Sequence, residues 1–150
     1  MRNRGFEIVS SYKNKGITLP ERKTDKSAGY DISAADDVVL KAGKVTIVPT
    51  GLKAYMNDDE YLGLHMRSGM SIKHALTFIN SQGIIDADYY NNAENEGHIM
   101  LAIFNHGEDD FAVPKGTRVA QGIFYKYLMA DGDDTAKGRV RQGGIGSTGV

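Results

Sequence analysis

Asp86 and Tyr89 stand three residues apart where the apolar run Gly83-Ile84-Ile85 ends and Asp86-Ala87-Asp88-Tyr89-Tyr90 begins. A carboxylate of ordinary pKa, about 3.9, is ionised at neutral pH and can orient and deprotonate a water. Gly83 has no side chain, so a flat ligand can approach the backbone there. Asp86 and Asp88, at i and i+2, share a face if the segment stays extended, and a turn breaks that pairing. Taken alone, the stretch reads as a strand running into an acidic turn.

Four other stretches carry residues of comparable interest. Arg67-Ser68-Gly69 follows an apolar strand and offers a forked donor, a hydroxyl and an approachable N–H, the parts of an anion-binding turn. Ser27-Ala28-Gly29-Tyr30-Asp31 sets small residues before a carboxylate at a loop-to-strand junction. In Arg118-Val119-Ala120-Gln121 strand alternation puts Gln121 on the face of the core-like Ile123, and a buried amide needs partners. The last stretch runs from Arg139 through Val140, Arg141, Gln142, Gly143, Gly144, Ile145, Gly146, Ser147 and Thr148 to Gly149. Gly144 to Gly149 spells G-x-G-x-x-G, but no helix and no acid about 20 residues on can follow before Val150, so the dinucleotide reading fails. What remains is a strip of N–H groups and hydroxyls behind two arginines, suited to wrapping a polyphosphate. His65, His74, His98 and His106 lack metal-ligand spacing and read as structural or surface residues.

The elements that must position these residues are short strands. Leu62, Leu64 and Met66 alternate, as do Leu52, Ala54 and Met56, and Ile99, Leu101 and Ile103. Val38 to Leu40 and Val45 to Ile47 around Gly43 read as a hairpin, Met70 to Leu76 as one short helical turn, and Val119 to Tyr127 as the last strand. No window carries a helical period, and turns recur every eight to twelve residues, which predicts an all-β antiparallel sandwich or barrel. The 150 residues suit a single domain. Residues 1–129 form its β body, and the polar, glycine-rich 130–150 is expected to be a flexible arm, because it buries too little to offset its ordering entropy. A net charge of −1 gives no general attraction to nucleic acid. Absent cysteines exclude disulfides and thiolate metal sites and fit a reducing cytoplasm. Met1-Arg2-Asn3-Arg4-Gly5 leads into no long apolar run, so no signal peptide is expected, and no stretch approaches the roughly 18 apolar residues of a membrane span.

In this order Ala28-Gly29-Tyr30-Asp31, Arg67-Ser68-Gly69, Gly83 to Tyr89, Arg118 to Gln121 and Gly143 to Gly149 resemble the five motifs of the trimeric dUTPase family, over about residues 27–149. The resemblance implies a jelly-roll-like β subunit and a homotrimer whose active sites lie between subunits, with the arm closing over a neighbour's site. It implies hydrolysis of dUTP to dUMP and pyrophosphate with Mg2+. Carried onto this chain, Asp86 is the general base for a water attacking the α-phosphorus, and Tyr89 packs on the deoxyribose and excludes a 2′-hydroxyl. The turn at Asn80, Gly83 and Ile84 reads uracil. Ser68 and Gly69 hold the α and β phosphates. Arg67, Arg139 or Arg141, Gly144, Gly146, Ser147 and Thr148 serve the phosphates and the closing arm. Asp31 and Gln121 touch the metal through water.

This chain departs from the pattern at three places. Ile145 stands where the family usually has a Phe or His that stacks on uracil, and Tyr90 is the expected substitute. Val140 holds the usual arginine position, leaving Arg139 and Arg141 as alternatives. The loop from Tyr90 to Gly97 is longer than usual and acidic at its tip, a rim or trimer-edge feature. Three rival readings remain. A dCTP deaminase relative shares the fold but should lack the Asp86–Tyr89 pair. A nucleotide-responsive regulatory protein leaves the intact Asp86, Ser68 and Gln121 without work. A lectin-like β domain leaves the order of motifs unexplained.

Overall fold

Residues 2–134 and 137–146 are described in the computed structural model of the chain; Ser147 and Thr148, both expected at the site, lie outside the described residues. Eleven strands form among them: β1 (Gly5–Ile8), β2 (Tyr30–Ser33), β3 (Val38–Leu40), β4 (Val45–Pro49), β5 (Leu52–Tyr55), β6 (Glu60–Met66), β7 (Leu76–Phe78), β8 (Gly83–Asp86), β9 (Met100–Asn105), β10 (Phe111–Val113) and β11 (Arg118–Lys126). One short helix, α1 (Ser68–His74), follows β6. The expected helical turn therefore starts two residues earlier than Met70 and stops before Leu76, which opens β7. Ala75 ends the helix in the left-handed conformation, φ 53°.

The fold is all-β and jelly-roll-like. One sheet has the order β2-β11-β6-β8 and a second β4-β9-β7; β1 pairs with β5 and β10 with β3, all antiparallel. β9 shows why the sequence does this. Its residues alternate, with Leu101, Ile103 and Asn105 buried and Met100, Ala102 and Phe104 facing the other way. Ile32, Leu62, Leu64, Ile85 and Val119 from the first sheet meet Val48, Leu76, Phe78, Leu101 and Ile103 from the second in one core. Asn105 is buried yet satisfied: its Nδ2 donates to the Leu40 and Asp109 carbonyls, each at 2.9 Å.

Two local expectations are corrected. β3 and β4 do not form a hairpin: β3 pairs with β10 and β4 with β9. Both runs are short and apolar, and alternation does not say which partner a strand takes. Gln121 is half-buried rather than a core amide, because the register with β2 shifts between Arg118 and Ala120 and breaks the alternation.

The loop after Tyr90 is anchored by charge. Lys53, almost buried on β5, donates to Glu96 at 2.7 Å and to Asn91 Oδ1 at 2.6 Å, and the Ser10 N–H and hydroxyl both reach Glu96. The hydrogen bond from Lys53 is the chief reason the Glu96 pKa is held down, and Ser10 adds to it. A carboxylate with a depressed folded pKa stabilises the fold above its unfolded pKa, near 4.3, and that contribution is lost as pH falls through the lower folded value. Glu96→Gln is expected to lower the urea midpoint at pH 7 by the equivalent of about 1 kcal/mol and to narrow its gap to wild type towards pH 3. A gap that is the same at both pH values would remove Glu96 from the acid response.

Candidate active site

Asp86 is the last residue of β8, and Ala87–Tyr89 make a single 3-10 turn. The strand into an acidic turn is thus as the sequence indicates. β8 is the edge of its sheet, so one side of its backbone meets no other strand among the described residues. That free edge, with Asn80, Ile79 and Phe78 before it, forms one wall of a cavity of ≈ 520 Å³ that also contains Asp86, Tyr89, Met100 and Ala102. The size and the mixed lining suit a small ligand with one flat ring. Gly83 also lacks room on its inner side, where a Cβ would lie 3.1 Å from the Leu64 side chain.

Tyr89 is nearly buried. Its hydroxyl donates to the His98 carbonyl at 2.6 Å and accepts from Asn95 Nδ2 at 2.9 Å, so the ring cannot swing away from the cavity. Asp86 is half-exposed. Desolvation raises its pKa and the neighbouring Asp88 adds to this, while Arg141 opposes both. Arg141 donates from Nη2 to Asp86 at 2.5 Å and from Nε to Asp88 Oδ1 at 2.7 Å. The turn that should have separated the two carboxylates therefore leaves both within reach of one guanidinium. Of the two alternatives, Arg141 lines the cavity and Arg139 does not. Ile145 lies at the cavity mouth and is 88% exposed.

Tyr90 does not replace the missing ring. Its hydroxyl donates to Glu7 at 2.5 Å, its ring meets Tyr55 edge-on, and it does not line the cavity. The cause is the turn itself, which sends Tyr89 inwards and Tyr90 towards β1 and β5.

The remaining candidates lie elsewhere. Arg67 follows β6, its N–H donating to the Val119 carbonyl and its guanidinium to that of Arg118; Ser68 and Gly69 are exposed at the start of α1. Asp31 lies opposite Gln121 across the β2–β11 pairing. None of Asp31, Arg67, Ser68, Gly69 and Gln121 lines the cavity. The separation follows from register: Asp86 pairs with Tyr61 near the start of β6, and Ser68 lies beyond its other end. At about 3.3 Å per residue the two are on the order of 20 Å apart within one chain. Neither Glu94 nor Asn95, which line the cavity beside Arg141, was indicated by the sequence beyond the acidic tip of their loop.

Asp31 is already engaged: Arg118 Nη1 donates to Oδ2 at 3.0 Å and Arg67 Nε lies 3.8 Å from Oδ1. Among the described residues no group of three or more His, Cys, Asp or Glu could hold a metal. This donor set fits a cation held by ligand oxygens and water, with protein groups in its outer shell, and not a protein cage.

Residues 15–149 match the family model described as dUTPase. The chain belongs to the dUTPase family. It is 49% identical over 150 residues, covering all of both chains, to the deoxyuridine 5′-triphosphate nucleotidohydrolase of Lactococcus lactis, and 37% identical over 147 residues to that of Rickettsia felis, covering 95% of each. The crystal structure of the dUTPase from Streptococcus mutans is 44% identical with a TM-score of 0.81, covering 85% of this chain and 99% of that one. A D95N dUTPase from phage phi11 of S. aureus, described with a structural Mg(II) ion, shares the fold at 20% identity and a TM-score of 0.71, covering 87% of this chain and 94% of that one.

Proposed function

We propose that this member of the dUTPase family hydrolyses dUTP to dUMP and pyrophosphate. The observation that carries the reading is the cavity in which an ionisable Asp86, the fixed ring of Tyr89 and a free strand edge converge. Uracil lies against the Gly83–Ile84 edge, with the Asn80 amide completing its recognition. A narrow backbone slot leaves little room for a thymine methyl. The deoxyribose packs on Tyr89, which excludes a 2′-hydroxyl. Asp86 takes the proton of a water aligned with the α-phosphorus, and the bond to the β-phosphate oxygen breaks.

The phosphates are held by Arg67, Ser68 and Gly69, and by Arg141, Gly144 and Gly146 of the arm together with Ser147 and Thr148. Asp31 and Gln121 would hold a Mg2+ ion through water, and that ion would supply charge neutralisation at the phosphates. The separation of Asp86 from Ser68 supports a site shared between subunits, and the homotrimer is the assembly that supplies it. A reducing cytoplasm is the compartment proposed for this work.

Pyrophosphate release is the test, with dUTP, UTP, dCTP and dTTP in parallel. The expected result is Mg2+-dependent release from dUTP alone. Release from none of the four would favour the regulatory binding protein instead. The pH profile adds a second check. Burial raises the Asp86 pKa, so kcat/KM is expected to fall on the acid side with an apparent pKa above the ordinary value of about 3.9. Arg141 opposes that rise, so Arg141→Ala is expected to move the acid limb to higher pH. A limb that stays in place would show that Arg141 does not tune the base.

A further inference from the structure

The turn before β8 is tied from behind by side chains that do not line the cavity. Asn80, Gly83 and Ile84 line it; Gln82, between them in sequence, does not. Leu62 and Leu64 of β6 point into the core, so Tyr61, Gly63 and His65 share the opposite face of that strand. The Gln82 side chain lies across this face, with its Nε2 3.2 Å from His65 Nε2. The Tyr125 hydroxyl, from β11, reaches the same nitrogen at 3.0 Å. An amide nitrogen only donates, so His65 Nε2 accepts, and the Tyr125 hydroxyl donates to it as well. The Tyr125 ring is fixed in turn by stacking on Tyr61, with centroids 5.1 Å apart and planes at 18°.

Gly63 makes room for this crossing. It pairs with Ile84 of β8 and Ile123 of β11, and a Cβ there would lie 2.6 Å from Gln82 Nε2 and 2.6 Å from the Tyr125 ring. A glycine inside a strand gives up packing, and the two side chains laid over it account for it here. The turn also needs a tie. Ser81 has φ 69°, a conformation that residues with a Cβ rarely adopt. Within the turn, the Ser81 N–H donates to the Phe78 carbonyl at 3.1 Å and the Gln82 N–H to the Asn80 carbonyl at 2.8 Å. Among the described residues, the bond from Gln82 to His65 is the one hydrogen bond made by a side chain of residues 79–82.

We infer that Gln82, His65 and Tyr125 are positioning residues for base recognition. They fix the turn whose Asn80 amide and Gly83–Ile84 backbone meet the uracil, and so set the affinity for the base and the exclusion of a thymine methyl. A backbone slot discriminates only while its width is held, and the width is held from outside the cavity. Asp86, at the far end of β8, pairs with Tyr61 and lies outside the turn, so the chemical step is left alone. The base-recognition role rests on the dUTP reading; the tie itself does not.

Hydrogen exchange at the Ser81, Gln82 and Gly83 amides of the nucleotide-free protein tests the tie without any turnover. His65→Phe keeps a ring and removes the acceptor, and is expected to speed exchange there about tenfold, the loss of one hydrogen bond. His65→Gln again offers an acceptor to the Gln82 amide and should restore protection. Equal exchange in wild type and His65→Phe would overturn the tie.

Kinetics test the role. Gln82→Ala and His65→Phe are each expected to raise the KM for dUTP about tenfold with kcat unchanged, and to raise the ratio of kcat/KM for dTTP to that for dUTP several-fold. The double variant should be no worse than either single one, because both remove the same bond. A fall in kcat at constant KM, an unchanged dTTP ratio, or single effects that multiply in the double variant would overturn the role. If the wild type hydrolyses no dUTP, the activity reading and the role fall together while the exchange result stands.

Discussion

Asp86→Asn is expected to lower kcat for dUTP by on the order of 10³-fold while leaving the protein folded and able to bind the nucleotide. The amide is nearly the same size and can still accept from Arg141, but it cannot take the proton of the attacking water. Asp86 is half-exposed at the end of an edge strand, so its replacement disturbs little of the core. The raised pKa points the same way: a carboxylate partly removed from water binds a proton more readily, and Arg141 opposes that rise without cancelling it. Binding is best read from protection of the arm or from titration with a non-hydrolysable dUTP analogue. A variant that keeps a tenth or more of wild-type kcat would take the base role from Asp86.

Tyr89→Ala is expected to raise the ratio of kcat/KM for UTP to that for dUTP about 100-fold, the order of discrimination that exclusion of one hydroxyl provides. The ratio is the right quantity, because the substitution also costs stability. The ring is nearly buried in the core cluster, and truncating such a side chain costs roughly 3 kcal/mol, which lowers both rates alike. Tyr89→Phe separates the two effects. It loses the bonds to the His98 carbonyl and Asn95 but keeps the flat wall, so selectivity should survive with a lower thermal midpoint. An unchanged ratio in Tyr89→Ala would mean that another surface reads the sugar.

The strands that make the core were readable because their apolar residues alternate: Leu62 with Leu64, and Leu101 with Ile103, mark one face each. Pairing was not, since nothing in Val38 to Leu40 or Val45 to Ile47 names the strand that each will meet. The same limit applies to the site. Asp86, Ser68 and Gln121 stood out as candidates by residue type and order, but the distance between Asp86 and Ser68 depends on the register of β6 against β8, which only the folded chain supplies. Tyr90 was a reasonable substitute for a ring at Ile145 until the 3-10 turn placed neighbouring side chains on opposite sides of the chain. Glu94 left no signal beyond its charge, because its contacts come from the Asn92 turn beneath it and from a glycine strip some fifty residues later.

The central claim is that one chain supplies the base and sugar wall and another the phosphate-binding Arg67-Ser68-Gly69. The most direct measurement is dUTP hydrolysis by a mixed assembly of Asp86→Asn and Ser68→Ala chains, each nearly inactive alone, purified through two tags. Because the two residues lie on the order of 20 Å apart within a chain, the account predicts that activity returns on mixing, in sites that take Asp86 from one variant and Ser68 from the other. A mixed assembly as inactive as its parents would mean that both halves work within a single chain, contrary to the geometry of β6.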